Sequence, residues 1–287
     1  MSADRCKEFC AGSYRLPLGS KTYVMGIVNV TPDSFSDGGQ YLSVQEAVEH
    51  ASELVAAHAD ILDIGGESTR PGHAPVDSQE EIDRVIPVIR QIAPIFNIPV
   101  SIDTSKARVA REAVEAGASI INDVWGLKRD PDIARVACDS KAGLILMFNA
   151  TDSSRTEHSG DIVTDAIAYL SGSVETALRA GVSENQIMID PGIGFGMRHR
   201  ESFELIQGIG RLKAMGFPVL VGPSRKRFIG SALGNVPVDQ RDTGTAAVSC
   251  LAAFMGADMV RVHNVKKVVQ SIILSDIISA KTKYEEV

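Results

Sequence analysis

The chain has 287 residues, with 29 Lys and Arg against 36 Asp and Glu, a formal net charge of −7 and 44% hydrophobic residues. A chain of this length buries roughly three-quarters of its unfolded surface, which excludes disorder, and the acidic balance without a basic block excludes the electrostatic footprint of a nucleic-acid binder. No stretch approaches the ~18 uninterrupted apolar residues of a membrane span and the first twenty residues hold no apolar signal core, so a cytoplasmic protein with neither nucleic-acid nor membrane partner is expected.

Residues 1–20 are expected to form a loosely attached N-terminal extension, and 21–287 one domain, because no low-complexity linker divides the rest. From Thr22 onward, short β-branched runs alternate with helical periodicity. Strands are expected at Tyr23–Val28, Ile61–Ile64, Val100–Ile102, Ser119–Ile121, Leu144–Met147, Ile187–Ile189, Val219–Val221 and Met259–Val262. Each is followed by a helical pattern, at about Val44–His58, Ser78–Ile95, Lys106–Ala116, Asp132–Ser140, Ile162–Ala180, Ser202–Met215, Asp242–Met255 and Val265–Ala280. Eight βα units in one run predict a single closed (β/α)8 TIM barrel; the absence of GxGxxG after the first strand argues against an open dinucleotide-binding sheet. The four cysteines, Cys6, Cys10, Cys138 and Cys250, lack CxxC spacing and neighbouring histidines, and are expected to be reduced thiols.

A barrel of this kind works at the C-terminal ends of its strands. The exits here are unusually polar: Asn29 before TPDSFSDGGQY, Asp63 before GGESTRPG, Asp103, Asn122-Asp123, Asp190 in DPGIGFG, Lys226 in GPSRKR, and Arg261 and His263. Each residue alone has an ordinary explanation. Asp103 or Asn122-Asp123 suits a helix N-cap, DPG a turn, and a lone histidine a structural role. Six or seven polar exits around one mouth would repel or lose hydration without a ligand to use them. Arg261, His263, Thr69 and Asn29, on neighbouring strands and loops, suit a diphosphate with Mg2+. Asp103, Asn122, Asp190 and Lys226 suit a flat heterocycle presenting adjacent N–H donors. The Gly-, Ser- and Thr-rich loops 31–40 and 66–75 are expected to act as a mobile lid. Zinc-protease and serine-hydrolase motifs, HExxH and GxSxG, are absent.

In order along the chain, MGIVNVTPDSFSDGG, DIGGESTRPG, SIDTSKA, IND, DPGIGFG, GPSRKRFIG and GADMVRVHNV resemble the dihydropteroate synthase family over about Thr22 to Ile278. The resemblance implies a pterin-binding barrel that joins 4-aminobenzoate to 6-hydroxymethyl-7,8-dihydropterin diphosphate in folate biosynthesis, a transferase using Mg2+, acting as a homodimer and targeted by sulfonamides. By the same resemblance Asn29 is the metal contact, and Thr69, Arg261 and His263 bind the diphosphate. Asp103, Asn122, Met147, Asp190, Phe195 and Lys226 form the pterin pocket. Thr69, Pro71, Phe195 and Arg227 surround the aminobenzoate, and Asp33, Arg70 and Lys226 are catalytic. The chain departs from the family pattern at Phe148-Asn149 after the fifth strand, at Met197 after GFG, and at Arg227, where a small serine is usual. At Arg227 the aminobenzoate carboxylate would meet either backbone amides at the helix start or the arginine itself. The competing readings are a pterin-dependent methyltransferase or a non-catalytic pterin-binding protein of the same fold.

Overall fold

The computed structural model describes residues 7–30, 39–67, 76–152 and 159–283. After a hairpin, β1 (Glu8–Ala11) and β2 (Tyr14–Pro17), come eight strands: β3 (Tyr23–Asn29), β4 (Ile61–Gly65), β5 (Val100–Asp103), β6 (Ile120–Asp123), β7 (Gly143–Met147), β8 (Ile187–Asp190), β9 (Leu220–Val221) and β10 (Met259–Val262). All neighbours pair in parallel in the order β8-β7-β6-β5-β4-β3-β10-β9. A parallel bridge between Ile189 and Val219 brings the two ends together, so the eight strands form the (β/α)8 barrel expected from the sequence. The helices are α1 (Gly39–Ala56), α2 (Ser78–Ile92), α3 (Ala107–Glu115), α4 (Asp132–Ser140), α5 (Ile162–Arg179), α6 (His199–Gln207), α7 (Ile209–Lys213), α8 (Arg227–Ala232), α9 (Asp242–Phe254) and α10 (Val265–Ile278).

Two departures from the sequence expectation have physical causes. The expected helix Ser202–Met215 is divided into α6 and α7 at Gly208, and the six-residue α8 lies between β9 and the expected α9. The larger correction concerns the N-terminus. Residues expected to be loosely attached form the β1–β2 hairpin, whose Phe9 and Ala11 are fully buried. They close the bottom of the barrel, packing with Leu16 against Tyr23, Met25, Ile61, Ile120, Ile145, Met188, Leu220 and Met259, one inward residue or more from nearly every strand. Gly143 makes room for this plug, since a Cβ there would lie 2.5 Å from the Phe9 ring.

The plug determines where the site can be. Strand side chains alternate between the barrel interior and the helices, so the residue two positions beyond each floor residue faces inward one layer higher. From Ile61, Ile120, Ile145, Met188 and Met259 the next inward residues are Asp63, Asn122, Met147, Asp190 and Arg261. The apolar floor and the polar layer above it are thus the same strand faces, divided by height.

Candidate active site

The inward polar layer is organised around Arg261. Its Nε donates to Asp63 Oδ2 at 2.5 Å and its Nη2 to Asp103 Oδ2 at 2.7 Å, so one planar fork spans two carboxylates on adjacent strands. Asn122 Nδ2 also donates to Asp63 Oδ2, at 3.2 Å. Asp63 is fully buried, and its other oxygen, Oδ1, has no hydrogen-bond partner among the described residues. Burial raises the Asp103 carboxyl to about 7 against the opposing pull of Arg261, with Asp63 adding to the rise. Burial also disfavours the Arg261 charge, but Asp63 and Asp103 hold its pKa above the ordinary range. The ordinary N-cap role considered for Asp103 is not observed, because the N-cap position of α3 is Lys106.

Across the mouth, Asp190 and Lys226 form the second half of the layer. Asp190 Oδ1 accepts the Gly192 N–H at 2.7 Å, so the carboxylate builds the DPG turn as well as facing the barrel. Gly192 has φ +61° and a Cβ would lie 1.8 Å from the Phe148 carbonyl oxygen, so no larger residue fits. Burial raises Asp190 to about 6, countered by Lys226 and by the Gly192 N–H. Lys226 Nζ donates to the Ile193 carbonyl and lies 4.0 Å from the Phe195 ring centroid, a cation–π contact. Burial of the ammonium lowers its pKa to about 7, opposed chiefly by Asp190. Met147, 2% exposed, pairs in register with Asp190 at the ends of β7 and β8.

The third group lies at the junction of β3, β9 and β10. His263 Nδ1 is 2.8 Å from Ser224 Oγ, and its Nε2 is 3.4 Å from Asn29 Nδ2. Among the described residues no group of three or more His, Cys, Asp and Glu side chains could hold a metal ion. Half-buried Asn29 offers one amide oxygen at the mouth. That donor set fits Mg2+ as an ion that keeps its waters and takes most of its oxygens from a bound phosphate, not as an ion caged by protein.

Of the expected residues, Asn29, Asp103, Asn122, Met147, Asp190, Phe195, Lys226, Arg261 and His263 stand around one mouth. Arg227 is exposed at the start of α8 and lines a cavity of about 150 Å3 with Gly194, Gly196, Met197, His199 and Phe228, which brings two of the departures from the family pattern to one place. Asp33, Thr69, Arg70 and Pro71 lie outside the described residues, as does most of the expected lid, 31–38 and 68–75. The N-cap reading fails for Asp123 too, since the N-cap position of α4 is Pro131; the Asp123 carboxylate accepts the N–H groups of Trp125 at 2.9 Å and Leu127 at 2.6 Å and fixes the turn after β6. Asp63 stood among the polar residues of the mouth without a role, though its parity with Ile61 places it in the same inward layer; Ser224 was missed, with no signal beyond its place in GPSRKR.

A model of the pterin binding enzymes matches residues 25–263. The dihydropteroate synthase of Clostridium beijerinckii is 45% identical over 268 residues, 93% of this chain and 98% of that one; the Bacillus subtilis dihydropteroate synthase is 47% identical over 256 residues, 89% and 88% of the two chains. Among solved structures, Xanthomonas albilineans dihydropteroate synthase with 4-aminobenzoic acid superposes with a TM-score of 0.89 at 40% identity, covering 96% of this chain and 99% of that one. The same enzyme in complex with 7,8-dihydropteroate gives 0.86 at 38% identity, covering 95% and 99%. With a family model spanning most of the barrel and relatives this similar over nearly their whole length, the chain belongs to the pterin-binding enzymes, in the family of the dihydropteroate synthases.

Proposed function

We propose that this chain joins 4-aminobenzoate to 6-hydroxymethyl-7,8-dihydropterin diphosphate, forming 7,8-dihydropteroate and pyrophosphate. The observation that carries this reading is the division of the mouth: carboxylates, an amide and a lysine on β5, β6, β8 and after β9, beside Asn29 on β3, Arg261 on β10 and His263 just after it. The first set suits a flat heterocycle with both donors and acceptors, and the second an anion next to it.

In this account the pterin lies between Asp190, Asn122, Asp103 and Lys226. Asp190 accepts ring N–H groups, Lys226 donates to the carbonyl or ring-nitrogen side, and Met147 packs on the ring. Breaking the C–O bond sends its electron pair to the diphosphate and leaves an electron-poor methylene conjugated to the pterin. The arylamine nitrogen forms the new C–N bond and loses a proton. The protein positions the two reactants and stabilises the leaving charge. The Nη1 of Arg261, which has no hydrogen-bond partner among the described residues, is a donor for the anion, with His263 beside Asn29 at the same end of the mouth. Asn29 would hold Mg2+ together with diphosphate oxygens; that ion, when bound, neutralises leaving-group charge. Thr69, Pro71, Phe195 and Arg227 surround the arylamine, with Asp33 and Arg70 acting from the loops, as the family resemblance implies. The Arg227 guanidinium at the cavity beside Met197 supports a direct contact with the arylamine carboxylate.

The same reading takes the protein as a cytoplasmic homodimer. No helix among the described residues is long and apolar enough to cross a membrane. Support for the dimer comes from α9 and α10, where Leu251, Phe254, Met255, Ile273, Leu274 and Ile278 are 41–72% exposed, an apolar face of the kind that a partner covers. The test of the function is mass-spectrometric detection of 7,8-dihydropteroate when purified protein, the dihydropterin diphosphate, 4-aminobenzoate and Mg2+ are combined. No product with a folded protein would overturn it.

A further inference from the structure

The two cationic loops of the mouth, after β9 and after β10, are joined through a carboxylate outside the site. Lys226 follows Arg225, which has φ +55°, a left-handed conformation that L-residues rarely adopt. Among the described residues twelve positive-φ positions are glycine and six are not, so an arginine here implies that its side chain is needed. Arg225 is held at its backbone N–H, its carbonyl and two of its three guanidinium nitrogens. Its N–H donates to Thr245 Oγ1 at 3.0 Å, and its carbonyl accepts from Arg241 Nη1 at 3.1 Å. Its guanidinium grips Asp242 twice, Nε to Oδ1 at 2.7 Å and Nη2 to Oδ2 at 3.1 Å. Arg241, Asp242 and Thr245 all belong to the start of α9.

Asp242 also reaches the other loop. Its Oδ2 accepts from Asn264 Nδ2 at 2.8 Å, and Asn264 directly follows His263 while its own Oδ1 caps the start of α10. The loops meet a second time where Ser224 Oγ accepts the His263 N–H at 3.1 Å and lies 2.8 Å from its Nδ1. An exposed ion pair would mean little. Asp242 is 5% exposed, and the pair is bidentate with a third bond to the neighbouring loop.

We infer that Arg225 and Asp242 are a positioning pair for the reaction: they hold the strained backbone that aims Lys226 at the pterin and tie it to the His263 loop, so that the heterocycle and its leaving group are gripped in one register. The inference rests on the functional reading above. Neither residue touches substrate in this account. A misplacement of about 1 Å at a distance from the chemistry is enough to cost on the order of a hundredfold in rate.

The test uses full-length Arg225→Gly, Asp242→Asn and the double variant. Glycine accepts φ +55° without strain, so Arg225→Gly removes the fork and keeps the backbone conformation accessible. At 20 °C, well below unfolding, we expect the folded single variants to lose about tenfold or more in kcat/KM for the dihydropterin diphosphate and to bind a phosphate-free pterin several-fold more weakly by calorimetry. The double variant should lose no more than the worse single one, because the two residues act as a unit. A purely structural pair would lower the thermal midpoint and leave both readouts of the folded protein within twofold of wild type. That result, or losses that multiply in the double variant, overturns the inference. If one single variant does not fold, the other decides on the same two readouts. Wild-type protein that makes no product sinks the functional reading instead, while pterin calorimetry on the variants still decides the positioning role.

Discussion

Replacing Arg261 by lysine separates two accounts of this residue. From the sequence alone, Arg261 is an anion fork, and Arg261→Lys is expected to weaken the diphosphate substrate while sparing a pterin without phosphates. In the structure the fork is engaged by Asp63, fully buried, and Asp103, 8% exposed. A lysine ammonium is a point charge and does not span both carboxylates in this geometry. The variant therefore loses one charge-assisted bond, about 1.5–3 kcal/mol, and Asp63, whose Oδ1 already lacks a partner among the described residues, carries most of the loss. Arg261→Met leaves both carboxylates uncompensated and costs about 3–5 kcal/mol. At about 2–4 °C per kcal/mol for a domain of this size, the lysine variant should melt about 3–12 °C below wild type. Because Arg261 also orients Asp103, affinity for a phosphate-free pterin should fall about tenfold, equivalent to about 1.4 kcal/mol. Thermal unfolding and titration calorimetry read the two effects independently. An unchanged midpoint with weakened binding of the diphosphate substrate alone would refute the reasoning and return Arg261 to the role of a simple anion fork.

Asp190→Asn should keep the fold, since an amide oxygen still accepts the Gly192 N–H, but it sets a donor against the pterin N–H groups and should cost about 1–3 kcal/mol of pterin affinity; calorimetry showing wild-type affinity would contradict the assignment. Phosphate-free pterin should bind best between about pH 6 and 7. Asp190 is protonated below its raised pKa of about 6 and Lys226 loses its proton above its lowered pKa of about 7, and the alkaline limb should vanish in Lys226→Met; a flat profile from about pH 5 to 8 speaks against the pair. Phe9→Ala, which empties the barrel plug, should destabilise by about 3–5 kcal/mol, whereas a loosely attached N-terminus predicts almost no change in denaturant midpoint. Leu274→Glu on the exposed α9–α10 face should give a monomer in sedimentation velocity, and persistence of a dimer would place the interface elsewhere.

The strands were legible because parallel barrel strands are continuous apolar runs. Met259–Val262 agrees at both ends, and three others err only where a polar site residue extends the strand, as Asn29, Asp103 and Asp190 do. The polar exits gave the mouth for the same reason. The β1–β2 hairpin was not legible: its strands have four residues each, and alternation over Phe9 and Ala11 is too short to distinguish from loop. What no single-chain pattern reveals is which side chains pair across the barrel. The Arg261 fork on Asp63 and Asp103 joins residues 198 and 158 positions apart, and the Arg225–Asp242–Asn264 connection depends on a left-handed arginine that sequence reasoning assigns to glycine.

The central claim is transfer of a pterin-linked methylene to an arylamine with loss of diphosphate, and pyrophosphate release tests it most directly. With the dihydropterin diphosphate and Mg2+, release should be slow without 4-aminobenzoate, accelerate with it, and match dihydropteroate formed one to one. Tight pterin binding with no release in either condition would contradict the account and leave a pterin-binding protein without this chemistry.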